Sequence, residues 1–283
     1  MDAQNISLII PAYNEEDGIK DIVLKALNLY PDFEIIVIDD GSTDSTYEKI
    51  KDLNIKIIRH AFNKGYGASI KAGIRLSSFD LIAIMDADGQ HNPQDIKRLI
   101  DEKDNYDMVV GARDQKSHKT LWRRPGKKLI SVVVNSLSGT TIPDFNSGFR
   151  LFKKEIALKF IHLFPNGFSL STTMMVAFLR EGYNVKNIPI SVNKRIGKST
   201  VNVLDGFKAL ILILRLFMIF SPLRIFLPSS LMILLAGSIS LLLDFSNQNI
   251  HDVTILTLLT GLLIFFLGLI VDQMAHMRRE IRQ

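Results

Sequence analysis

The sequence predicts an α/β domain with a mostly parallel sheet, followed by an interfacial helix and two membrane-spanning helices. Short runs of β-branched residues alternate with longer amphipathic segments through the first half of the 283 residues, as in strands joined by crossover helices. An acidic cluster follows the first, second and fourth of these runs. Nearly all the charge precedes Asp205, and from Leu223 to Asp272 the only basic residue is Arg224. We therefore expect the first part of the chain to fold in water and the last part in a bilayer.

The apolar pattern of the first part defines its strands and helices. The predicted strands are 6–11, 34–38, 55–59, 81–85, 108–111 and 185–192, and the predicted helices are 16–29, 42–53, 67–77, 93–103, 129–137 and 171–181. The first helix carries an apolar stripe at helical spacing, and the fourth begins at Pro93, a residue favoured in a first turn. Pro189 indicates an edge strand because it cannot donate to a ladder. Residues 115–128 are polar and basic and are predicted to form a loop.

The last part of the chain is almost uniformly apolar. Residues 204–220 are interrupted only by Lys208 and Arg215 on roughly one helix face, which is typical of a helix lying in the interfacial plane. Residues 223–243 and 253–272 are each long enough to span a bilayer. Basic residues flank the two spans and none lies between them, so both termini are expected to be cytoplasmic. A helical hairpin buried against the first domain is the alternative.

These patterns divide the chain into an α/β domain at 1–202, an interfacial amphipathic helix at 203–222 and a two-helix membrane anchor at 223–283. Residues 1–7 contain no basic residue and the apolar run that follows is broken by Pro11, so no signal peptide is expected.

Composition narrows the possible ligands. Cysteine is absent, so a metal ion would be held by oxygen or imidazole ligands. A formal net charge of +5 suits nucleic acid, a nucleotide sugar or anionic lipid headgroups. The apolar tail favours the last two. No nucleic-acid partner is expected, because the aromatic residues do not interleave with a basic stripe.

The segment Asp86-Ala87-Asp88 is the clearest candidate for a metal site. Two carboxylates two positions apart, just past a predicted buried strand, form a hard oxygen site suited to Mg²⁺ or Mn²⁺ bridging a diphosphate. An isolated pair of this kind also occurs in helix caps and turns.

Two further loops favour a ligand site at the same edge of the sheet. Tyr13 and Glu15 follow the first strand, and Asp39 and Asp40 follow the second. An aromatic ring and carboxylates are what a base and ribose need for stacking and hydrogen bonding. Either aspartate alone also suits an N-cap.

Five motifs occur in the order found in one enzyme family. They are Ile-Pro-Ala-Tyr-Asn-Glu-Glu at 10–16, Val-Ile-Asp-Asp-Gly-Ser-Thr-Asp at 37–44, Asn-Lys-Gly-Tyr-Gly-Ala at 63–68, Met-Asp-Ala-Asp-Gly-Gln-His at 85–91 and Asn-Ser-Gly-Phe-Arg-Leu-Phe at 146–152. With these motifs the chain resembles the family 2 glycosyltransferases of the GT-A fold. It looks most like the dolichol-phosphate mannose synthases and the bacterial polyprenyl-phosphate glycosyltransferases. The resemblance runs from 6 to 199, and the tail resembles the two-helix membrane anchor of some members.

The resemblance implies three sets of contacts. The residues implied to bind the nucleotide sugar are Pro11, Tyr13, Glu15, Ile38, Asp40, Asp86, Ala87, Asp88, Gln90 and Arg113. The implied metal ligands are Asp86, Asp88 and Gln90, and the implied lipid-phosphate contacts are Lys127, Ser131, Arg195 and Lys198. Lys127 departs from the arginine of the mannose synthases and cannot clamp a phosphate bidentately. Gly89 stands where those enzymes usually have leucine, and this difference disfavours mannose as the transferred sugar.

The implied reaction is transfer of a sugar from a UDP- or GDP-linked donor to a dolichyl or undecaprenyl phosphate, with inversion. Asp88, Asp144 and Arg195 are the expected catalytic residues, and related two-span proteins imply a homo-oligomer. Asp144 is a candidate base or acceptor-orienting group, or it organises its loop. The rival acceptors are a diacylglycerol or a saccharide, and the rival to an enzyme is a silent membrane scaffold that binds nucleotide sugars.

Overall fold

The structure, a computed structural model, describes residues 5–113, 124–193, 205–246 and 249–280. It divides into two compact units, Met1–Gly206 and Phe207–Gln283.

The first unit is built on a seven-stranded sheet within the described residues. Its strands are β1 Ile6–Ala12, β2 Glu34–Asp39, β3 Lys56–Arg59, β4 Leu81–Ile84, β5 Met108–Arg113, β6 Arg150–Lys153 and β7 Val185–Ile190. Its helices are α1 Ile19–Leu29, α2 Thr46–Ile50, α3 Tyr66–Leu76, α4 Ile96–Ile100, α5 Arg124–Ser138, α6 Lys154–Phe160 and α7 Leu170–Arg180. The sheet order is β3-β2-β1-β4-β6-β5-β7, and β6 runs antiparallel to both of its neighbours.

The core follows from the isoleucine-rich strands. All seven residues of β1 are buried, which is typical of a central parallel strand covered on both faces. Ile19, Ile22 and Val23 bury the predicted apolar stripe of α1. At Gly73, α3 approaches the sheet so closely that an added Cβ would lie 2.6 Å from Cγ2 of Ile9.

The sheet order brings the acidic clusters together. Strands β2, β1 and β4 are adjacent and parallel, so their carboxyl ends share one edge. The loops that follow them, 13–18, 40–45 and 85–92, therefore lie at the edge where ligands bind in open α/β sheets.

Two local expectations need correction, and one helix was not expected. Helix α5 begins at Arg124, so residues 124–128 are helical rather than loop, with Pro125 tolerated in the first turn. The rest of the predicted loop, 115–123, lies outside the described residues. Helix α2 is shorter than expected because Asp44 accepts hydrogen bonds from the backbone N–H and hydroxyl of Thr46, which holds the preceding residues in a turn. Helix α6 was not expected.

The second unit contains all but the first two residues of α8 Asp205–Phe220, together with α9 Leu223–Ser246 and α10 Asp252–Glu280. Helices α9 and α10 are long and apolar enough to cross a membrane, and only 11% and 17% of their apolar windows are buried. The two helices pack closely: an added Cβ at Gly237 would lie 2.8 Å from Leu258, and one at Gly261 would lie 2.7 Å from Leu234. Their exposed Leu, Ile and Phe side chains suit lipid. The interfacial position of α8 and the domain boundaries stay predictions.

Candidate active site

The loops after β1 and β2 are bound to each other. Asn14, at φ 55, accepts a hydrogen bond from the backbone N–H of Thr43 at 2.9 Å and donates its own N–H to Oγ of Ser42 at 3.0 Å. Asparagine tolerates this left-handed conformation better than most residues. The cross-links fix the loop that carries Tyr13, whose side chain stays 44% exposed and available for stacking.

Asp40 holds in place a segment that lines an adjacent cleft. Its Oδ1 accepts the backbone N–H of Lys64 at 2.9 Å and lies 2.7 Å from Nδ1 of His60, while Oδ2 accepts the backbone N–H of Gly65 at 2.8 Å. The carboxylate therefore holds the segment 60–65. A cleft of about 440 Å³ opens beside it, lined by Gly41, Ser42, Thr43, Arg59, His60 and Ala61.

Several residues expected to touch the donor are deeply buried. Pro11 and Ile38 are register partners in β1 and β2, and the Ile38 side chain is fully buried. Ala87 is 2% exposed. A nucleotide would meet these positions through the backbone. Glu15 is partly exposed, and its carbonyl accepts from the backbone N–H groups of Gly18 and Ile19 at the start of α1.

The carboxylates that follow β4 are more exposed to solvent than that of Asp40. The Asp86 side chain is 29% exposed, and its Oδ1 accepts a hydrogen bond from the Tyr66 hydroxyl at 3.1 Å. Asp88 is also partly exposed, and its Oδ1 accepts the backbone N–H of Gln90 at 3.1 Å. Nδ1 of His91 lies 3.9 Å from Oδ2 of Asp86 and has no hydrogen-bond partner among the described residues.

Gly148 keeps the space at Asp86 open. An added Cβ at this position would lie 2.7 Å from both carboxylate oxygens of Asp86, so no larger residue leaves room for a ligand there. The described residues contain no group of three His, Cys, Asp or Glu side chains arranged around one metal. Two carboxylates and the amide of Gln90 nevertheless fit Mg²⁺ or Mn²⁺, because such ions commonly take one or two carboxylates and complete their shell with substrate phosphate and water.

Arg113 and Asp144 form a bidentate ion pair beside these carboxylates. Nε of Arg113 donates to Oδ2 of Asp144 at 2.6 Å, and a terminal guanidinium nitrogen donates to Oδ1 at 3.0 Å. The hydrogen bond from Arg113 to Asp144 raises the pKa of the guanidinium, and the charges of Asp86 and Asp88 act in the same direction. The Asp144 side chain is only 4% exposed, whereas that of Arg113 is 33% exposed. The pair therefore presents a cation, rather than a base, to the site.

A buried arginine organises the loop between α5 and β6. Arg150 is 1% exposed, and it donates from Nε to the carbonyl of Ser147 at 2.7 Å and from a terminal nitrogen to that of Phe145 at 2.9 Å. Burial lowers its pKa to about 10, so it remains a cation at neutral pH. Arg150, Tyr66 and Gly148 are not among the site residues predicted from the sequence, although a charged residue inside the apolar run 149–152 is a signal for Arg150.

The expected lipid-phosphate residues are only partly described. Lys127 lies near the start of α5, but its side chain is outside the described part of the structure, and Ser131 is partly exposed on the same helix. Arg195 and Lys198 lie outside the described residues. Their roles stay predictions.

The family follows from comparison with known proteins. Residues 7–160, more than half of the chain, match Glycosyl transferase family 2, and residues 221–277 match the GtrB C-terminal hairpin. The chain belongs to glycosyl transferase family 2. As a family 2 glycosyltransferase it is an enzyme, and the fold predicted from its motifs is confirmed.

Two relatives agree with this membership, and a solved structure agrees with the fold. A UDP-N-acetylglucosamine--dolichyl-phosphate N-acetylglucosaminyltransferase of Methanococcus voltae is 33% identical, over 72% of this chain and 92% of the relative. An undecaprenyl-phosphate 4-deoxy-4-formamido-L-arabinose transferase of Salmonella choleraesuis is 31% identical over 54% of this chain, which spans about half of that relative. Glucosyl-3-phosphoglycerate synthase of Mycobacterium tuberculosis, solved with Mn²⁺ and UDP-glucose, has a TM-score of 0.61 at 18% identity, covering 76% of this chain and 78% of that one.

Proposed function

We propose that this family 2 glycosyltransferase is membrane-bound and transfers a sugar from a UDP- or GDP-linked donor to a polyprenyl phosphate. The observation that carries the proposal is the Arg113–Asp144 pair beside Asp86 and Asp88. Two carboxylates suit a metal-bound diphosphate, and an adjacent oriented guanidinium suits a phosphate. The site thus provides for two phosphate groups, as a nucleotide-sugar donor and a phosphate acceptor require.

The relatives support the acceptor class. The two relatives described above are named as transferases of polyprenyl phosphates, dolichyl phosphate in one and undecaprenyl phosphate in the other. The apolar surfaces of α9 and α10 suit an enzyme whose acceptor is a lipid. With basic residues flanking the two helices, we place both termini and the catalytic unit on the cytoplasmic side.

The reaction needs little acid–base catalysis. An oxygen of the lipid phosphate, already anionic at neutral pH, forms a bond to the anomeric carbon while the bond from that carbon to the donor diphosphate breaks, which inverts the configuration. Mg²⁺ or Mn²⁺ held by Asp86, Asp88 and Gln90 would neutralise charge on the leaving diphosphate. Arg113, aimed by Asp144, stabilises phosphate charge in the transition state. The exposed ring of Tyr13 is placed to stack on the base.

A transfer assay tests the proposal. Full-length enzyme in detergent is supplied with radiolabelled UDP- and GDP-sugars and with four acceptors: undecaprenyl phosphate, dolichyl phosphate, undecaprenol and diacylglycerol. We expect label in the two phosphate lipids alone, and none in excess EDTA. Equal transfer to diacylglycerol or undecaprenol would reject a phosphate acceptor, and full activity in the chelator would reject the metal.

A further inference from the structure

The Asp86 carboxylate is held from two sides by elements distant in sequence. Tyr66, the first residue of α3, donates its hydroxyl to Oδ1 at 3.1 Å. The backbone at Gly148 packs against the same carboxylate, since an added Cβ would lie 2.7 Å from Oδ1, from Oδ2 and from the Tyr66 hydroxyl oxygen. A carboxylate enclosed in this way has little freedom to rotate.

Tyr66 is itself fixed in place. Its ring stacks on that of Phe168, with centroids 5.5 Å apart and planes 19° from parallel. The loop 165–167 packs on either side of it: an added Cβ at Gly65 would lie 2.6 Å from the carbonyl oxygen of Asn166, and one at Gly67 would lie 2.2 Å from that of Pro165.

We infer that Tyr66 is a positioning residue for the metal site: by occupying Oδ1 of Asp86 it fixes the rotation of the carboxylate and directs Oδ2 to the cation. The inference rests on the metal dependence in the proposed function. A ligand that is oriented in advance loses less conformational freedom on binding. Residues that hydrogen-bond to metal ligands change metal affinity by about tenfold to a hundredfold when they are removed.

The substitution Tyr66→Phe isolates this role. It keeps the ring that stacks on Phe168 and removes only the hydroxyl, so a residue that serves the fold alone leaves metal affinity unchanged. The matched control is Tyr183→Phe, which removes a phenolic hydroxyl that is 3.5 Å from Nζ of Lys159, beyond the opposite end of α7. The substitution Asp88→Asn reports on the metal site itself.

Direct binding of Mn²⁺ is the readout. Full-length protein in detergent is titrated with Mn²⁺, alone and with UDP or GDP, and free Mn²⁺ is measured by electron paramagnetic resonance; thermal unfolding is followed on the same samples. We expect Tyr66→Phe to raise the Mn²⁺ dissociation constant about tenfold. Tyr183→Phe should match the wild type, and Asp88→Asn should abolish specific binding.

The outcomes separate the two claims. If Tyr66→Phe binds Mn²⁺ within twofold of the wild type while Asp88→Asn does not bind, the positioning role is wrong and the metal site stands. If wild type and Asp88→Asn behave alike, the metal site of the proposed function is wrong and the role of Tyr66 with it. If Tyr66→Phe lowers the melting temperature, Gly148→Ala provides the second test, because its Cβ would displace the same carboxylate, and unchanged Mn²⁺ affinity in that variant overturns the inference.

Discussion

The carboxylates that follow β2 and β4 lie at the same edge of the sheet, yet their surroundings differ. The side chain of Asp40 is 5% exposed and is bonded to His60 and to two backbone N–H groups. The side chain of Asp86 is 29% exposed, and Tyr66 donates to one of its oxygens. A carboxylate whose lone pairs are taken by the protein stabilises a loop, whereas one that remains open can bind a ligand. Adjacent donors, rather than the acidic residues themselves, therefore decide how much of each carboxylate remains open to a ligand.

Asp144 resembles Asp40, because its carboxylate oxygens accept hydrogen bonds from other groups of the protein. Both of its oxygens are bonded to Arg113, and Oδ1 also accepts the backbone N–H of Asn146 at 3.3 Å. We therefore expect any effect of Asp144 on the reaction to pass through the Arg113 guanidinium that it orients.

The largest effect is expected from Asp88→Asn. Loss of this ligand charge should lower kcat by about a hundredfold to a thousandfold, because the leaving diphosphate loses electrostatic stabilisation. The melting temperature should stay close to that of the wild type, since the side chain is partly exposed. Initial rates at saturating donor and thermal unfolding test both points. The control is Asp104→Asn, whose side chain is 83% exposed, and a tenfold or smaller loss in Asp88→Asn would place the metal elsewhere.

The next effect is expected from Asp144→Asn. Activity should fall about tenfold to a hundredfold, with the shape of the pH–rate profile unchanged, because the residue positions Arg113 rather than accepting a proton. The variant Arg113→Lys should cause a similar loss, and the double variant should be little worse than either single one. Loss of the acidic or alkaline limb of the pH–rate profile in Asp144→Asn would indicate that Asp144 acts as a general base. Fully additive losses in the double variant would also contradict the positioning role.

Arg113→Met should also weaken the fold. It leaves the buried carboxylate of Asp144 without its cation, which should reduce the free energy of unfolding by about 3 kcal/mol.

The sequence predicted the parallel half of the sheet well, and for a local reason. Buried parallel strands such as β1 are continuous apolar runs, and their acidic loops follow directly in the chain. No comparable sequence pattern predicts that β6 runs antiparallel to its neighbours or that the short helix α6 follows it. For the candidate site, the sequence predicted which loops meet at one edge of the sheet, but not which of their side chains contact each other. The pairing of Arg113 with Asp144 and the contact of Tyr66 with Asp86 join segments 31 and 20 residues apart, and only the folded chain shows them.

A smaller effect on catalysis is expected from Asp40→Asn. The amide presents N–H groups where the carboxylate accepts from Lys64 and Gly65, so the segment 60–65 should loosen. We expect the free energy of unfolding to fall by about 1–3 kcal/mol, with a few-fold rise in the KM for the donor and an unchanged kcat. Thermal unfolding and donor titrations check this. The control is the exposed Asp17→Asn. A kcat loss as large as that of Asp88→Asn would mean that Asp40 contacts the reacting groups.

The smallest effect concerns Glu34, at the other end of the strand that leads to Asp40. Burial opposes its ionisation, but hydrogen bonds from Lys56, Ser7 and Ser78 outweigh it and lower the pKa from 4.5 to about 2. Because the folded pKa is depressed, the ionised group stabilises the fold above about pH 4.5, and this contribution is lost as the pH falls toward 2. Relative to wild type, Glu34→Gln should lose about 1 kcal/mol of folding free energy at pH 7, a value reduced for screening at the exposed Lys56, and much less at pH 2, where about half of the Glu34 side chains are protonated in the folded state. Urea unfolding at both pH values measures the difference. Since Glu34 lies away from the carboxyl edge, transferase activity should not change, and a loss of activity without a loss of stability would contradict the division between carboxylates that support the fold and those that bind ligands.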